Sequence, residues 1–263
     1  MINSLDKEII GKEKIESYKL LVSSPNYHFS IPKNTSTKIE LLLNVQTESN
    51  ITIDLNENSN LKLIIIASGS YSYKLDINVY KDASLKLYTA DSFDSDVKVI
   101  KSVNLKESNA YSYIYEYLPA NNNKITGGFY LNHLFKDTKS EGFFNYLSKN
   151  NGIIDRNATS TLIENTNNSE SSENIKGLIL GEQSRIDAKP VLIVKCDDVH
   201  AAHGCAIGTI NANEIYYLMS RGLTYDDSLK IICKSLINPI LRELDGSELK
   251  DEVSELLNKT IGE

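Results

Sequence analysis

Glu57-Asn-Ser-Asn-Leu-Lys-Leu63 returns as Asp82-Ala-Ser-Leu-Lys-Leu87 and again as Glu107-Ser-Asn-Ala-Tyr-Ser-Tyr113. Each copy places an acidic turn before a new alternating run, and the copies start about 25 residues apart. Fixed periods of roughly 20 to 50 residues mark solenoids. One coil per period, with short strands stacked in parallel, predicts a mainly β chain folded as a β-helix, in which successive coils bury each other's inward side chains. Segments 39–45, 51–55, 61–66 and 75–79 alternate or run apolar over strand lengths. Helix periods are nearly absent between 38 and about 182.

The β-helix core is assigned to 38–210. Before it, residues 1–37 form a short segment; Ile9, Ile10, Ile15 and Leu20 give a ragged apolar set there, and one short helix over 1 to about 22 is expected. After it, 211–263 is assigned to a small C-terminal helical region, because the apolar period changes to three and four. Asn211 caps one helix with Glu214 three residues on, and Gly222 closes it. Thr224 and Asp227 repeat the cap, and Leu229, Ile232, Cys233, Leu236 and Ile240 share one face. Pro239 is expected to kink or shorten this helix. Ser247 opens a last helix carrying Leu249, Val253, Leu256 and Leu257. Cys233 reads as core. A structural role for the stripe is to cover the open end of the solenoid.

A net charge of -7 and a pI near 5.3 argue against nucleic acid or an anionic membrane as partner, since phosphate binding needs a basic surface. No apolar run approaches the roughly 20 residues of a membrane span. The amino terminus lacks the apolar centre of a secretion signal. Three cysteines, an odd number, suit a reducing cytoplasm better than a disulfide framework, so a cytoplasmic location is expected. The polar runs 121–123 and 165–173 read as turns between coils. Tyr71, Tyr73, Tyr111, Tyr113, Tyr115 and Tyr117 fall at spacing two and read as packing ladders, with a carbohydrate-binding face as the alternative. His28 and His133 read as structural.

Soft ligands concentrate between Ser184 and Leu223, which holds two of the four histidines and two of the three cysteines. The β-branched run 191–194 after Pro190 is expected as a strand buried on both faces. Continued as an extended chain, it puts His203 and Cys205 on one face and Cys196, Asp198 and His200 on the other. That parity splits the four His and Cys ligands into pairs, so one zinc site would need a bend at Gly204 or at Ala201-Ala202. No G-x-x-x-x-G-K-[S/T], G-x-S-x-G or H-E-x-x-H occurs. Asp197 and Asp198, adjacent and therefore on opposite faces, make a poor pair of carboxylates. The chain is not expected to be an enzyme; a polysaccharide lyase or carbohydrate-binding protein on a β-helix is the alternative reading.

The residues Lys189, Pro190, Leu192, Asp197, Asp198, Val199, His203, Gly204 and Gly208, followed by Tyr217, Leu218, Arg221 and Gly222, resemble the C-terminal signature of the SufB/SufD family of iron-sulfur cluster assembly. The resemblance is strong over 160–244. It implies a right-handed β-helix whose C-terminal helices, with Tyr217, Leu218, Arg221 and Gly222, dock a SufC-like ABC ATPase. SufB-like chains carry Cys four residues after the proline and Glu after the motif histidine; this sequence has Val194 and Gly204 there and so resembles the SufD branch. The resemblance implies iron or a transient iron-sulfur cluster at a subunit interface, contacted by His203, with Cys205 as a second candidate ligand. The implied second subunit is a SufB-like paralogue that supplies thiolate and carboxylate, or a second copy of this chain. ATP-driven closure of two ATPase subunits would open the joint. Flavin occurs in such complexes as a class; no dinucleotide fingerprint for one is present here.

Overall fold

The computed structural model describes residues 15–261, with strands over 57% of these residues in a solenoid of about seven turns. In chain order the strands are β1 (Ile15–Val22), β2 (Asn26–Ile31), β3 (Ser36–Val45), β4 (Ser49–Leu55), β5 (Asn60–Gly69), β6 (Tyr73–Val79), β7 (Ser84–Phe93), β8 (Val97–Leu105), β9 (Tyr111–Asn121), β10 (Lys124–His133), β11 (Lys139–Lys149), β12 (Ile153–Leu162), β13 (Ser169–Leu180), β14 (Arg185–Val194) and β15 (Val199–Thr209). The helices α1 (Ala212–Ser220), α2 (Tyr225–Glu243) and α3 (Lys250–Ile261) follow. Odd-numbered strands stack in sequence into one sheet and even-numbered strands into another. Every pairing is parallel, so one odd and one even strand make one coil.

The repeat in the sequence is a corner in the structure. Asn34, Asn58, Asp82, Asn109, Asp137 and Asn168 all have φ between 54° and 59°, the left-handed region that Asn and Asp tolerate best among residues with a Cβ. They stack along the solenoid: Asn58 Nδ2 donates to Asn34 Oδ1 at 2.8 Å, Asn109 Nδ2 to Asp82 Oδ1 at 2.8 Å and Asn168 Nδ2 to Asp137 Oδ1 at 3.1 Å. Paired positions step 24 residues from Ser36 to Asn60 and from Asn60 to Ser84, then 27 to Tyr111, 28 to Lys139 and 31 to Glu170. The period of about 25 therefore holds early and lengthens toward the C-terminal end.

Alternation buries one side of every strand in the lumen. Ile39, Leu63 and Leu87 form one apolar column and Ile53, Ile77 and Val103 another. The outer face of the odd-numbered sheet is apolar as well, and α2 and α3 pack on it: Ile64, Ile66, Tyr88, Tyr117, Leu147 and Leu178 meet Cys233, Leu236, Ile237, Val253 and Leu257. Tyr115 Oη donates to the Leu236 carbonyl at 3.0 Å, and Tyr117 Oη lies 2.8 Å from Thr260 Oγ1. Tyr113, Tyr115 and Tyr117 of β9 are thus a packing ladder beneath the helices, whereas Tyr71 lies exposed in the turn before β6. Tyr73 is different, because it faces the lumen and donates to Asp91.

Four sequence expectations are corrected here. The N-terminal helix is not formed over the described part of its range: 15–22 is β1 and 26–31 is β2, while residues 1–14 lie outside the described residues. Pairing along β3 gives that segment a complete hydrogen-bonded ladder, which outweighs a weak helical pattern. The helical stripe covers the flank of the solenoid and not its end. Of the two effects expected of Pro239, shortening is not seen, since α2 runs four residues further to Glu243. The run 165–173 is a turn only up to Asn168; Ser169 to Glu173 begins β13 and buries Ser169, Ser171 and Glu173. Other details agree: Asn211 Oδ1 accepts from the Asn213 amide, Thr224 Oγ1 accepts from the Asp227 amide, and Gly222 has φ 94°.

Candidate functional site

The last coil carries the motif. β14 and β15 end their sheets, and among the described residues no strand pairs with their outer edges. Their inward rows follow from the coil beneath. Ile154, Arg156, Ala158, Ser160 and Leu162 are buried and pair with Ile186, Ala188, Pro190, Leu192 and Val194. Ser171, Glu173 and Ile175 are buried and pair with Ala201, His203 and Cys205. The lumen therefore opens at a rim of aliphatic side chains interrupted by one imidazole and one thiol. His203 and Cys205 are both exposed there. Burial still pushes the Cys205 thiol above its usual range.

His203 and Cys205 share a face, as their spacing predicts. The other ligands fall differently. β14 stops at Val194 and β15 starts at Val199, so Cys196, Asp197 and Asp198 lie in a corner and not in a strand. The chain bends there, where the Asp198 carbonyl accepts from the Asn168 amide at 2.8 Å, and not at Gly204 or Ala201-Ala202. Among the described residues no three His, Cys, Asp or Glu side chains are close enough to hold one metal ion. The run 191–194 is also not buried on both faces: Ile193 is 41% and Val194 45% exposed, because no coil follows. Such an apolar open edge is a template for another chain.

Beneath the rim the lumen turns polar, which apolar periodicity does not reveal. Lys101 Nζ bridges Asp91 Oδ2 at 2.8 Å and Glu116 Oε1 at 2.9 Å, and Arg156 meets both Glu116 oxygens at 3.4 Å; all four side chains are inaccessible to solvent. Burial pushes the Glu116 carboxyl up, but Arg156 and Lys101 outweigh it and hold it below the ordinary range. Burial wins at Asp91, which is raised. Nearer the open end a chain of buried hydroxyls starts at His133, whose Nδ1 and Nε2 lie 2.8 Å from Thr138 Oγ1 and Ser140 Oγ. It continues from Ser140 to Ser171 at 2.9 Å, from Ser171 to Ser160 at 2.8 Å and from Ser160 to Glu173 Oε1 at 2.6 Å. Burial lowers the His133 pKa to about 4 and raises that of Glu173 to about 7, with Ser160 offsetting part of the latter. His133 is thus structural, as its apolar neighbours suggest. His28 instead sits outside, 2.7 Å from Asp54 Oδ2.

A second feature flanks the open coil. On α1, Tyr216 and Tyr217 are 75% and 57% exposed, and the Arg221 guanidinium stacks over the Tyr217 ring at 5.3 Å. Leu218 is half-buried, and Gly222 ends the helix. Lys176, Glu214, Tyr217, Leu218 and Ile232 line a groove between α1, α2 and β13. Tyr225 and Ile231 of α2 are also exposed. No helix among the described residues is long and apolar enough to cross a membrane.

A parallel β-solenoid with flanking helices, an open last coil and a histidine at its rim defines the class. Residues 25–236 match the family model described as SUF system FeS cluster assembly, SufBD core domain, and the chain belongs to that family. It is 26% identical over 138 residues to the iron-sulfur cluster assembly protein SufD of Bacillus subtilis, across 52% of this chain and 29% of that one. Against SufD of Escherichia coli it is 31% identical over 105 residues, 39% of this chain and 23% of the relative. Against an iron-sulfur cluster assembly SufBD family protein of Archaeoglobus fulgidus it is 36% identical over 86 residues, 33% and 22% of the two chains. Each of these matches spans less than a third of the relative's length.

Proposed function

We propose that this chain is a SufD-like, non-catalytic subunit of the SUF iron-sulfur cluster assembly scaffold. One observation carries the reading: the last coil is left open, with Ile193 and Val194 exposed beside unpaired strand edges, and His203 and Cys205 stand on its inward rows. A SufB-like paralogue, or a second copy of this chain, adds its own last coil to β14 and β15 and buries the aliphatic rim. His203 then contacts iron or the nascent cluster, which passes through as substrate. Neutral imidazole is a good donor to iron, and Cys205 on the same face offers a second one.

The exposed aromatic and Arg surface of α1, with the groove against α2, suits the SufC-like ABC ATPase. Tyr and Arg anchors dominate protein interfaces, and Arg221 stacks on Tyr217 on this surface. Because α2 and α3 pack along the whole flank of the solenoid, movement of the helices on ATP-driven closure has a rigid route to the coils.

Co-expression with the SufB-like and SufC-like proteins of the same cell, followed by mass measurement of the purified complex, tests this. The expected result is a stable assembly that loses the ATPase when Tyr217 and Arg221 are both changed to Ala, and loses the paralogue when Val194→Lys charges the rim. A wild-type chain that elutes alone in the presence of both proteins overturns the reading.

A further inference from the structure

We infer that Glu173 is the carboxylate partner of His203, and that the two form a half-site for a divalent iron ion on the inward face of the last coil. This rests on the reading of His203 given above and deepens it, since the carboxylate comes from this chain and not only from a partner.

The register places Glu173 directly beneath His203, both on the row that faces the lumen. Side chains stacked on one face of a ladder stand about 5 Å apart. From Cβ atoms that close, the two side chains can bring their donor atoms to within the roughly 4 Å spanned by two metal-ligand bonds of about 2 Å each. Glu173 is 0% exposed. Its Oε1 accepts from Ser160 Oγ at 2.6 Å, and Ser160 in turn accepts from Ser171, so the carboxylate is held from below. Its Oε2 is buried and finds no partner among the described residues. A buried acceptor left unpaired is costly, and a cation beside it removes that cost.

The neighbouring positions do not offer a substitute. Gly204 lies on the outward row, where an added Cβ would meet Asn174 Oδ1 at 2.9 Å. Ile175, beneath Cys205, has no donor atom. Carboxylate oxygen and imidazole nitrogen suit ferrous iron, and the hydroxyl behind the carboxylate is the kind of support that orients a metal ligand. Two donors leave the other coordination positions directed to the open end of the solenoid, where a partner chain or the incoming ion reaches them.

The test is an anaerobic titration of the full chain with Fe(II), and with Co(II) for its visible spectrum. Wild type is expected to bind one ion, His203→Ala to lose it and Glu173→Gln to bind at least tenfold more weakly. Glu170→Gln, on the outward row of β13 where Glu170 pairs with Lys139, should bind as wild type. Glu173→Gln removes the carboxyl at constant shape and should fold, as circular dichroism will check; Glu173→Asp, which keeps a carboxyl but shortens its reach, should also weaken binding. Wild-type affinity in both Glu173 variants, with binding lost in His203→Ala, overturns this inference and leaves the His203 reading standing. Wild-type affinity in His203→Ala overturns both, and a wild-type chain that binds neither ion overturns the half-site.

Discussion

The coils from β3 to β6 and those from β9 to β15 share one backbone ladder and one Asn/Asp corner, yet fill their interiors in opposite ways. The early coils stack Leu41, Ile65, Leu75 and Ile77. The late coils enclose Glu116, His133, Arg156, Ser160, Ser171 and Glu173. In a solenoid each coil contacts only its neighbours, so the corners and ladder set the shape and the lumen is free to change character along the axis. Apolar burial is non-directional, whereas a buried polar lumen stabilises only when every group finds its partner. The difference therefore separates a half held by apolar burial from a half held by paired polar groups.

The largest effect should come from breaking the polar half. Arg156→Leu leaves Glu116 and Asp91 to share Lys101 alone, and removing one partner from a buried ion cluster costs about 3–5 kcal/mol. Leu63→Ala in the apolar half should cost about 3 kcal/mol through lost transfer energy and a cavity. Replacing Arg156 and Glu116 together by Leu should recover much of the first loss. Urea unfolding of these variants decides the matter: an Arg156→Leu protein more stable than Leu63→Ala would show that the ion cluster is not what holds the late coils.

Protonation should divide the two halves as well. His133 is depressed from about 6.5 to about 4, so its folded form favours the neutral ring; that stability is complete above pH 6.5 and is lost as pH falls through 4. Glu173 is raised from 4.5 to about 7, so its stability is complete below pH 4.5 and is lost as pH rises through 7. Shifts of this size correspond to up to about 3 kcal/mol each. His133→Gln should flatten the acid side of a plot of Tm against pH between 4 and 6.5, and Glu173→Gln the side between 4.5 and 7. Unchanged slopes in both would mean that the hydroxyl chain relaxes or admits water, and the late lumen would then be less rigid than the early one.

What could be read from the sequence follows the same division. The coil period was visible because turns such as Glu57-Asn58 and Lys81-Asp82 need a residue that accepts positive φ, and because apolar alternation reports a lumen filled with Leu and Ile. Where the lumen is Ser169, Ser171 and Glu173, the same alternation is polar, and β13 looked like a loop. Glu173 is indistinct in the sequence for that reason; its one signal is its place in the coil period, 30 residues before His203, which needs the lengthened late coils to be recognised. His203 and Cys205 are legible through the motif and the parity of an extended chain. The position of the helices was not readable, since an apolar stripe says that a face is covered and not by what. The apolar outer positions of β5 and β7, Ile64, Ile66 and Tyr88, are what draw α2 and α3 to the flank.

The smallest expected effect tests what the two halves have in common. A residue with a Cβ in the left-handed region pays about 1–2 kcal/mol, a penalty that Asn reduces and Gly avoids. Asn58→Ala loses that tolerance together with the hydrogen bond to Asn34, and should lower stability by about 1 kcal/mol; Asn58→Gly keeps the conformation and should cost less. Asn168→Ala, at the equivalent corner of a polar coil and bonded to Asp137, should cost the same within about 0.5 kcal/mol. For a chain of this size 1 kcal/mol shifts Tm by about 2–4 °C, which differential scanning calorimetry resolves. Equal losses would place the common element in the corner itself. A much larger loss at Asn168 would mean that the polar lumen leans on its corners more heavily than the apolar one does.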